Sequence, residues 1–258
     1  MERRLTVEEI ERLDPYQFMA EIGKKVIHPG GSRSTNEMLR IASLRSDESV
    51  LEIGCGVGTT AVRVARDYNC KVTAADIDDA MLEKAQLNVR QWNASGMVNI
   101  TKADIQALPF ENDSFTCVFI EAVTMFTDRE RSAGEVVRVC RNGGRVIDHE
   151  FIWKKPPTLE AKRIFEGEVC PGINFDTAQN WVDLYKQAGL KDIQITTGPF
   201  EMMTPAGFIR DEGPGNMLMI MLRCMSRFAY MKKMAWLMSR MIKAMPYLGY
   251  VVIAGKKG

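Results

Sequence analysis

The sequence has little histidine, no paired cysteines and no long uncharged apolar run. It contains two histidines and six cysteines among 258 residues, and the cysteines are scattered without a C-x-x-C pair. Such spacing is typical of a reducing compartment and argues against a disulfide scaffold. The chain starts with charged residues in place of the apolar region of a signal peptide, and no uncharged stretch is long enough to cross a bilayer. We therefore expect a cytoplasmic protein.

The sequence also lacks an excess of charge of either sign. Its 34 basic and 33 acidic residues give a formal net charge of +1. Nothing in this balance suggests a nucleic-acid partner, and we expect none. The length is sufficient for one α/β core with an additional segment.

Residues 50–60 read V-L-E-I-G-C-G-V-G-T-T and are the stretch around which the chain is organised. A short apolar run enters a glycine turn and a helix-forming segment leaves it, which predicts a strand, a tight loop and a helix N-terminus. Gly54, Gly56 and Gly58 let the backbone approach a ligand, and the amides at the helix start can receive a polar group. Alone the pattern is weak, because many nucleotide-binding folds use one.

From Val50 onward, predicted strands and helices alternate, which indicates a parallel sheet covered on both faces. We predict seven strands, over residues 50–53, 71–75, 98–101, 115–120, 145–148, 192–196 and 250–254. In such a sheet the ligand lies beyond the carboxyl ends of the strands. Asp76 ends the second strand, where a carboxylate can accept hydrogen bonds from ribose hydroxyls. Asp104 follows the third strand, where it can accept from an adenine amine.

Together these motifs resemble those of the class I S-adenosylmethionine (SAM) dependent methyltransferases. The glycine loop resembles motif I of the family, and residues 104–110, D-I-Q-A-L-P-F, resemble its D-x-x-x-L-P-F stretch. Residues 141–144, R-N-G-G, resemble its turn before the fifth strand, with asparagine where proline is usual. The landmarks cover about residues 45–150 and favour the small-molecule, quinone- and sterol-methylase-like branch.

The resemblance implies SAM as cofactor and a Rossmann-like, doubly wound, mostly parallel seven-stranded sheet. By it, the glycines line the methionine end of SAM, Asp76 holds the ribose, Ile77 packs on the adenine, and Asp104 with Ile105 holds the adenine. The full set of residues it places at the cofactor is Glu52, Gly54, Cys55, Gly56, Gly58, Thr59, Asp76, Ile77, Asp104, Ile105 and Glu121.

The expected activity is methyl transfer to a small, apolar acceptor by in-line displacement. After the fourth strand, enzymes that methylate amino groups of DNA, RNA or protein often carry an Asn/Asp-Pro-Pro-aromatic motif. Residues 120–126 read I-E-A-V-T-M-F instead, which disfavours nucleobase methylation. Two alternatives remain, a non-catalytic SAM-binding regulatory or partner subunit and a nicotinamide-dependent oxidoreductase.

A general base is needed only when the acceptor must lose a proton. The candidates are Glu121 after the fourth strand, His149 after the fifth, and His28 in the turn H-P-G-G-S of residues 28–32. Asp148 and Glu150 flank His149, but neighbouring strand residues point to opposite faces, so the three cannot share one pocket. We predict no metal site, because no ligand spacing supports one.

The remaining segments are expected to form appendages of the core. We predict an N-terminal helical cap over residues 1–45, the SAM-binding core over 46–199, a helical insertion over 200–246 and the last core strand over 247–258. Within the insertion, residues 216–245 are rich in methionine and purely basic, with apolar residues at the spacing of one helix face. This helix could be a lid over the acceptor, a peripheral membrane contact or a homodimer contact, with a hinge at residues 213–215.

Overall fold

The computed structural model describes residues 5–258, and its central feature is one seven-stranded sheet. The strand order is β3-β2-β1-β4-β5-β7-β6. Neighbours within the run from β3 to β5 are parallel, and chain order reverses between β1 and β4. The strands are β1 (Ser49–Ile53), β2 (Lys71–Asp76), β3 (Val98–Lys102), β4 (Phe115–Glu121), β5 (Cys140–Trp153), β6 (Leu190–Pro199) and β7 (Leu248–Lys257). The predicted α/β, mostly parallel seven-stranded sheet is confirmed.

Helices precede, connect and follow the strands. They are α1 (Val7–Arg12), α2 (Pro15–Glu21), α3 (Ser32–Ala42), α4 (Thr59–Tyr68), α5 (Asp79–Gln91), α6 (Arg129–Val139), α7 (Leu159–Ile164), α8 (Ala178–Gln187), α9 (Pro205–Met225) and α10 (Phe228–Ala244). Start signals in the sequence account for several of them. Thr6 and Asp14 each form a capping box, and the Asp78 and Asp128 side chains cap α5 and α6.

The described chain divides into two compact units. The sheet unit consists of residues 33–152, 175–197 and 250–258. The helical unit consists of the described residues up to Ser32, residues 153–174 and residues 198–249. The helical unit therefore joins the N-terminal helices α1 and α2 with α7, α9 and α10, which are distant in the sequence.

Both faces of the sheet are buried within the sheet unit. Phe119 and Ile147 lie on one face, in the same core cluster as residues of α3 and α4. Trp181 and Tyr185 of α8 are fully buried, and the Trp181 indole donates a hydrogen bond of 3.0 Å to the carbonyl of Phe151. Burial of a large apolar side chain stabilises a fold by about 1.5–3 kcal/mol, so this double covering holds the strand ends in fixed positions.

Strand β5 is longer than expected. The sequence predicts a turn at residues 141–144 followed by a strand over 145–148, whereas β5 runs from Cys140 to Trp153. Phe115 pairs with Cys140 and Cys117 pairs with Arg145, so the predicted turn is a bulge inside one strand. Its Gly143 has a φ of +72°, a value that glycine adopts without strain.

The methionine-rich segment is two helices, and the prediction of one helix over 216–245 was wrong. Helix α9 ends at Met225, and α10 starts at Phe228 after the extended Arg227. Helix α9 is also kinked at Gly213, whose φ is +71°. Helix α7 and the π-helical turn Phe165–Val169 that follows it were not predicted. Over residues 5–258, no helix has the length and apolar character needed to cross a membrane.

Candidate functional site

The glycine loop joins β1 to α4 and is fixed to the end of β2. The amides of Gly54 and Cys55 donate hydrogen bonds of 2.8 and 3.0 Å to the carbonyl of Ala75. A Cβ on Gly54 would lie 2.1 Å from Cγ2 of Val123, whereas a Cβ on Gly56 would meet nothing within 4 Å. Both glycines have positive φ, +73° and +51°. The loop is therefore packed on one side and open at Gly56.

Asp76 holds this loop from the end of β2. Its Oδ2 accepts a hydrogen bond of 2.8 Å from the amide of Gly56, and its Oδ1 accepts one of 3.0 Å from the amide of Asp78. The next side chain, Ile77, is 62% exposed. A half-buried carboxylate thus lies beside an apolar side chain that is open to solvent.

The segment after β3 is held by α6. The Asp104 Oδ1 accepts a hydrogen bond of 2.9 Å from the amide of Gln106, while Ile105 is buried. Arg138 donates to the carbonyls of Leu108 and Phe110, which fixes the L-P-F stretch. Of the two apolar residues expected at the adenine, Ile77 is exposed and Ile105 lies in the core.

Three carboxylates gather at the carboxyl ends of β1, β2 and β4. Burial raises the pKa of Glu52 well above its usual range, and the negative charges of Glu121 and Asp76 raise that pKa further. The Glu52 Oε2 is buried and has no hydrogen-bond partner in the part of the chain that the structure describes. Glu121 is held differently, because its two oxygens accept hydrogen bonds from the hydroxyls of Thr35 at 2.7 Å and Thr60 at 3.1 Å.

Two of the candidate bases are neighbours in the sheet. Glu121 of β4 pairs in register with His149 of β5, and the amide of Ala122 donates to the His149 carbonyl at 2.8 Å. Register partners on adjacent strands present their side chains to the same face. His149 is fully buried, and its ring packs edge-on against Tyr250 with 5.4 Å between ring centroids.

The third candidate base, His28, belongs to the helical unit. Its Nδ1 lies 3.4 Å from the carbonyl of Pro29. The turn around it is fixed by two acids of α9. Asp211 accepts from the amide and hydroxyl of Ser32, at 3.0 and 2.8 Å, and Glu212 accepts from the amides that precede the turn.

The acids that flank His149 lie on the opposite face of the sheet and form a cluster that the sequence did not reveal. Asp148 accepts hydrogen bonds of 2.6 Å from the Tyr185 hydroxyl and 2.9 Å from the Thr124 hydroxyl. Glu150 accepts from the amides of Val123 and Thr124, at 3.1 and 2.7 Å. This cluster fixes the loop that packs against Gly54.

Burial determines the charge of this cluster. It raises the pKa of Asp148 to about 6 and the pKa of Glu150 well above its usual range, and the charge of Asp148 raises the pKa of Glu150 further. Tyr185 lies on the buried face of α8 together with Trp181 and Val182. Two signals in the sequence could have indicated the cluster. One is the Tyr185 hydroxyl on an otherwise apolar helix face, and the other is the pair Asp148 and Glu150, two residues apart on one strand.

The strand order, the glycine loop and the acids at the strand ends define a Rossmann-like methyltransferase fold. Among solved structures, phosphoethanolamine N-methyltransferase 2 of Haemonchus contortus in complex with SAM superposes with a TM-score of 0.73 at 20% identity. That superposition covers 98% of this chain and 57% of the other.

Sequence comparisons identify the family. The family model described as a methyltransferase domain matches residues 50–144. The uncharacterized methyltransferase YodH of Bacillus subtilis is 34% identical over 60% of this chain and 66% of its own length. The ubiquinone/menaquinone biosynthesis C-methyltransferase UbiE of Salmonella arizonae is 28% identical over 66% of this chain and 68% of its own. The chain is a class I SAM-dependent methyltransferase of the small-molecule branch, and SAM is its cofactor.

Proposed function

We propose that the protein transfers the methyl group of SAM to a small, apolar acceptor by in-line displacement. The observation that carries this proposal is the open glycine loop at Gly56 with the carboxylates of Glu52, Asp76 and Glu121 around it. The apolar character of the acceptor is supported by the quinone-pathway name of the UbiE relative and by the methionine-rich helices of the helical unit.

The residues at the strand ends fit the cofactor. Each Asp76 oxygen already accepts one amide, and a carboxylate has about four acceptor positions, so two remain for ribose hydroxyls. The exposed Ile77 offers an apolar surface to the adenine ring, and Asp104 with Ile105 lies at the next strand end. The loop residues that would line the methionine end are Glu52, Gly54, Cys55, Gly56, Gly58 and Thr59. We assign the cofactor to these residues.

SAM supplies a methyl group activated by its sulfonium, so the chain's main task is to hold the acceptor in line with the departing sulfur. Where the acceptor must lose a proton, we assign the base to His149, with His28 as the alternative. Glu121 is better suited to orientation than to proton transfer, because two threonine hydroxyls already donate to it.

The test is calorimetric titration of SAM, S-adenosylhomocysteine and NAD into the wild type and Asp76→Ala. We expect the two SAM-family ligands to bind and NAD to fail, with affinity in the variant lower by tenfold or more, on the order of one charge-assisted hydrogen bond. Asp79→Ala is the matched control, because Asp79 is an exposed acid three residues further along that pairs only with Lys102 among the described ion pairs.

Turnover is then measured as release of S-adenosylhomocysteine with pools of quinone-like and other apolar acceptors. SAM binding without turnover in every pool would favour the non-catalytic regulatory subunit. Preference for NAD would favour the nicotinamide-dependent oxidoreductase and overturn the assignment of the glycine loop.

A further inference from the structure

Helix α10 is apolar on two faces, and only one of them is buried. Tyr230, Leu237 and Met241 are at most 5% exposed, whereas Phe228 is 79% exposed and Ile242 is 61% exposed. The exposed Phe228, Met231 and Ile242 share one helix face, which is therefore the outward one. A helix with a second apolar face needs a second apolar partner.

The C-terminal half of α9 continues this outward face. Leu218, Met221, Leu222 and Met225 are between 50 and 68% exposed. Their spacing of three, one and three residues places them on one stripe of the helix, with the buried Ile220 on the other side. Because α9 ends at Met225 and α10 starts at Phe228, the stripe continues around the corner between the helices. We call the exposed residues Leu218, Met221, Leu222, Met225, Phe228 and Met231 the corner patch.

Cations flank the corner patch without acidic partners. No aspartate or glutamate occurs from residue 213 to residue 258. Arg223 donates to the backbone carbonyl of Glu21, and the Arg227 guanidinium lies 5.1 Å from the centroid of the Tyr230 ring. Within residues 5–258, neither arginine forms an ion pair with an acid.

Three of the four cations within α10 pair with acids, whereas the fourth, Lys233, donates to the backbone carbonyl of Glu11 at 2.8 Å. Lys232 pairs with Glu11 at 2.7 Å, Arg240 with Glu168 at 2.9 Å and Lys243 with Glu160 at 2.7 Å. Among the described ion pairs, Arg223, Arg227 and Lys233 are thus the cations of this segment that have no acidic partner, and the two arginines lie next to the apolar residues of the corner.

We propose that the corner patch seats the protein on an anionic lipid bilayer. Apolar side chains of an amphipathic helix enter the boundary between headgroups and acyl chains, and each nearby cation raises the affinity for an anionic surface about fivefold. A second copy of the chain is a poorer occupant. In a two-fold symmetric contact the patch would face itself and bring its arginines together. The proposal does not depend on the chemistry of the methyl acceptor.

The experiment is sedimentation with vesicles of phosphatidylcholine alone or mixed with phosphatidylglycerol, without SAM. We expect binding to the mixed vesicles that weakens as salt is added. Phe228→Ser should lower the partition coefficient roughly tenfold. The ring at the headgroup boundary is only partly buried, so its removal loses about half of the free energy of full burial. Arg223→Gln combined with Arg227→Gln should remove most of the preference for phosphatidylglycerol, about thirtyfold, because two cations are lost.

Leu159→Ser is the matched control, because Leu159 is 90% exposed in the same helical unit but outside the corner patch. It should bind vesicles as the wild type does, and SAM titration should report the same affinity in every variant, which shows that the variants are folded. Absence of vesicle binding by the wild type would overturn the proposal. So would equal binding by Phe228→Ser, or a dimer in light scattering that Phe228→Ser dissociates while vesicles are not bound. None of these results bears on methyl transfer, which is measured separately.

Discussion

The side chain of Val123 occupies the space that a Cβ on Gly54 would need, with 2.1 Å between the two positions. The glycine loop is therefore shaped from two directions, by its own chain and by the loop after β4. The buried Glu150 in turn fixes that second loop through the amides of Val123 and Thr124.

Gly54→Ala should abolish measurable SAM binding. The added methyl group meets Val123, and the φ of +73° costs an L-residue about 1–2 kcal/mol in addition. Calorimetric titration measures the affinity, and circular dichroism reports whether the fold is retained. Gly96→Ala is the control, since a Cβ there meets nothing within 4 Å. Wild-type affinity in Gly54→Ala would show that the loop does not receive the cofactor.

Glu150→Ala should weaken SAM binding, whereas Glu150→Gln should leave it nearly unchanged. Alanine leaves two buried amides without their acceptor, at about 1–3 kcal/mol each in the free energy of unfolding. Glutamine keeps an acceptor oxygen and resembles the protonated acid, which the raised pKa of Glu150 favours. Urea denaturation and SAM titration on both variants provide the measurement. Equal losses in both would mean that the charge matters and that the acceptor role assigned to Glu150 is wrong.

Asp148→Asn should reduce the loss of stability as pH rises from about 4 to 6. The pKa of Asp148 is raised from 3.8 to about 6 in the folded protein, so the native state binds more protons than the unfolded state in this window. The contribution of Asp148 to the free energy of unfolding is therefore fully present below pH 4. It is lost as pH rises through the folded pKa, and the loss is on the order of 2–3 kcal/mol. Asparagine removes this titration. The free energy of unfolding, measured in urea at several pH values, would contradict the prediction if both proteins gave the same slope.

Lys24→Met should destabilise the helical unit by about 3–5 kcal/mol. Lys24 and Glu212 form an ion pair of 3.3 Å in which both side chains are fully buried, and burial lowers the pKa of Lys24. Methionine leaves the Glu212 charge buried without its cation. Adding Glu212→Gln to Lys24→Met should restore most of the stability, as thermal and urea denaturation would report.

The control for this pair is Lys102→Met, which breaks an exposed ion pair with Asp79 of the sheet unit. Exposed pairs contribute about 1 kcal/mol or less, so its effect should be small. A comparable loss in both variants would mean that burial is not what makes the Lys24 pair important.

Local sequence signals were sufficient for most of the sheet. The apolar runs, the glycine loop and the caps at Asp78 and Asp128 act through the chain's own backbone, so the sequence carries them directly. Asp76 and Asp104 could be assigned to the strand ends because parallel strands end at the same edge. The roles of these residues toward the cofactor remain predictions.

Signals that depend on tertiary packing were not available from the sequence. The break after Met225 has no glycine or proline, and the N-cap residue of α10, Arg227, makes no side-chain capping hydrogen bond. Periodicity identified an apolar face of α10 but could not tell which of two such faces would be buried. It also could not show that the Tyr185 hydroxyl would donate a hydrogen bond to Asp148, which is 37 positions away in the sequence.

Strand β7 is the last in the chain, yet it lies between β5 and β6 in the sheet. Residues 190–199 therefore have no neighbouring strand until residues 248–257 have been synthesised and inserted. Assembly of this edge has to wait until β7 has been translated, and the contacts it makes are long-range ones that slow folding. Until then the open side of β5 is an unpaired strand edge, so the nascent chain is exposed to misassociation until β7 is inserted.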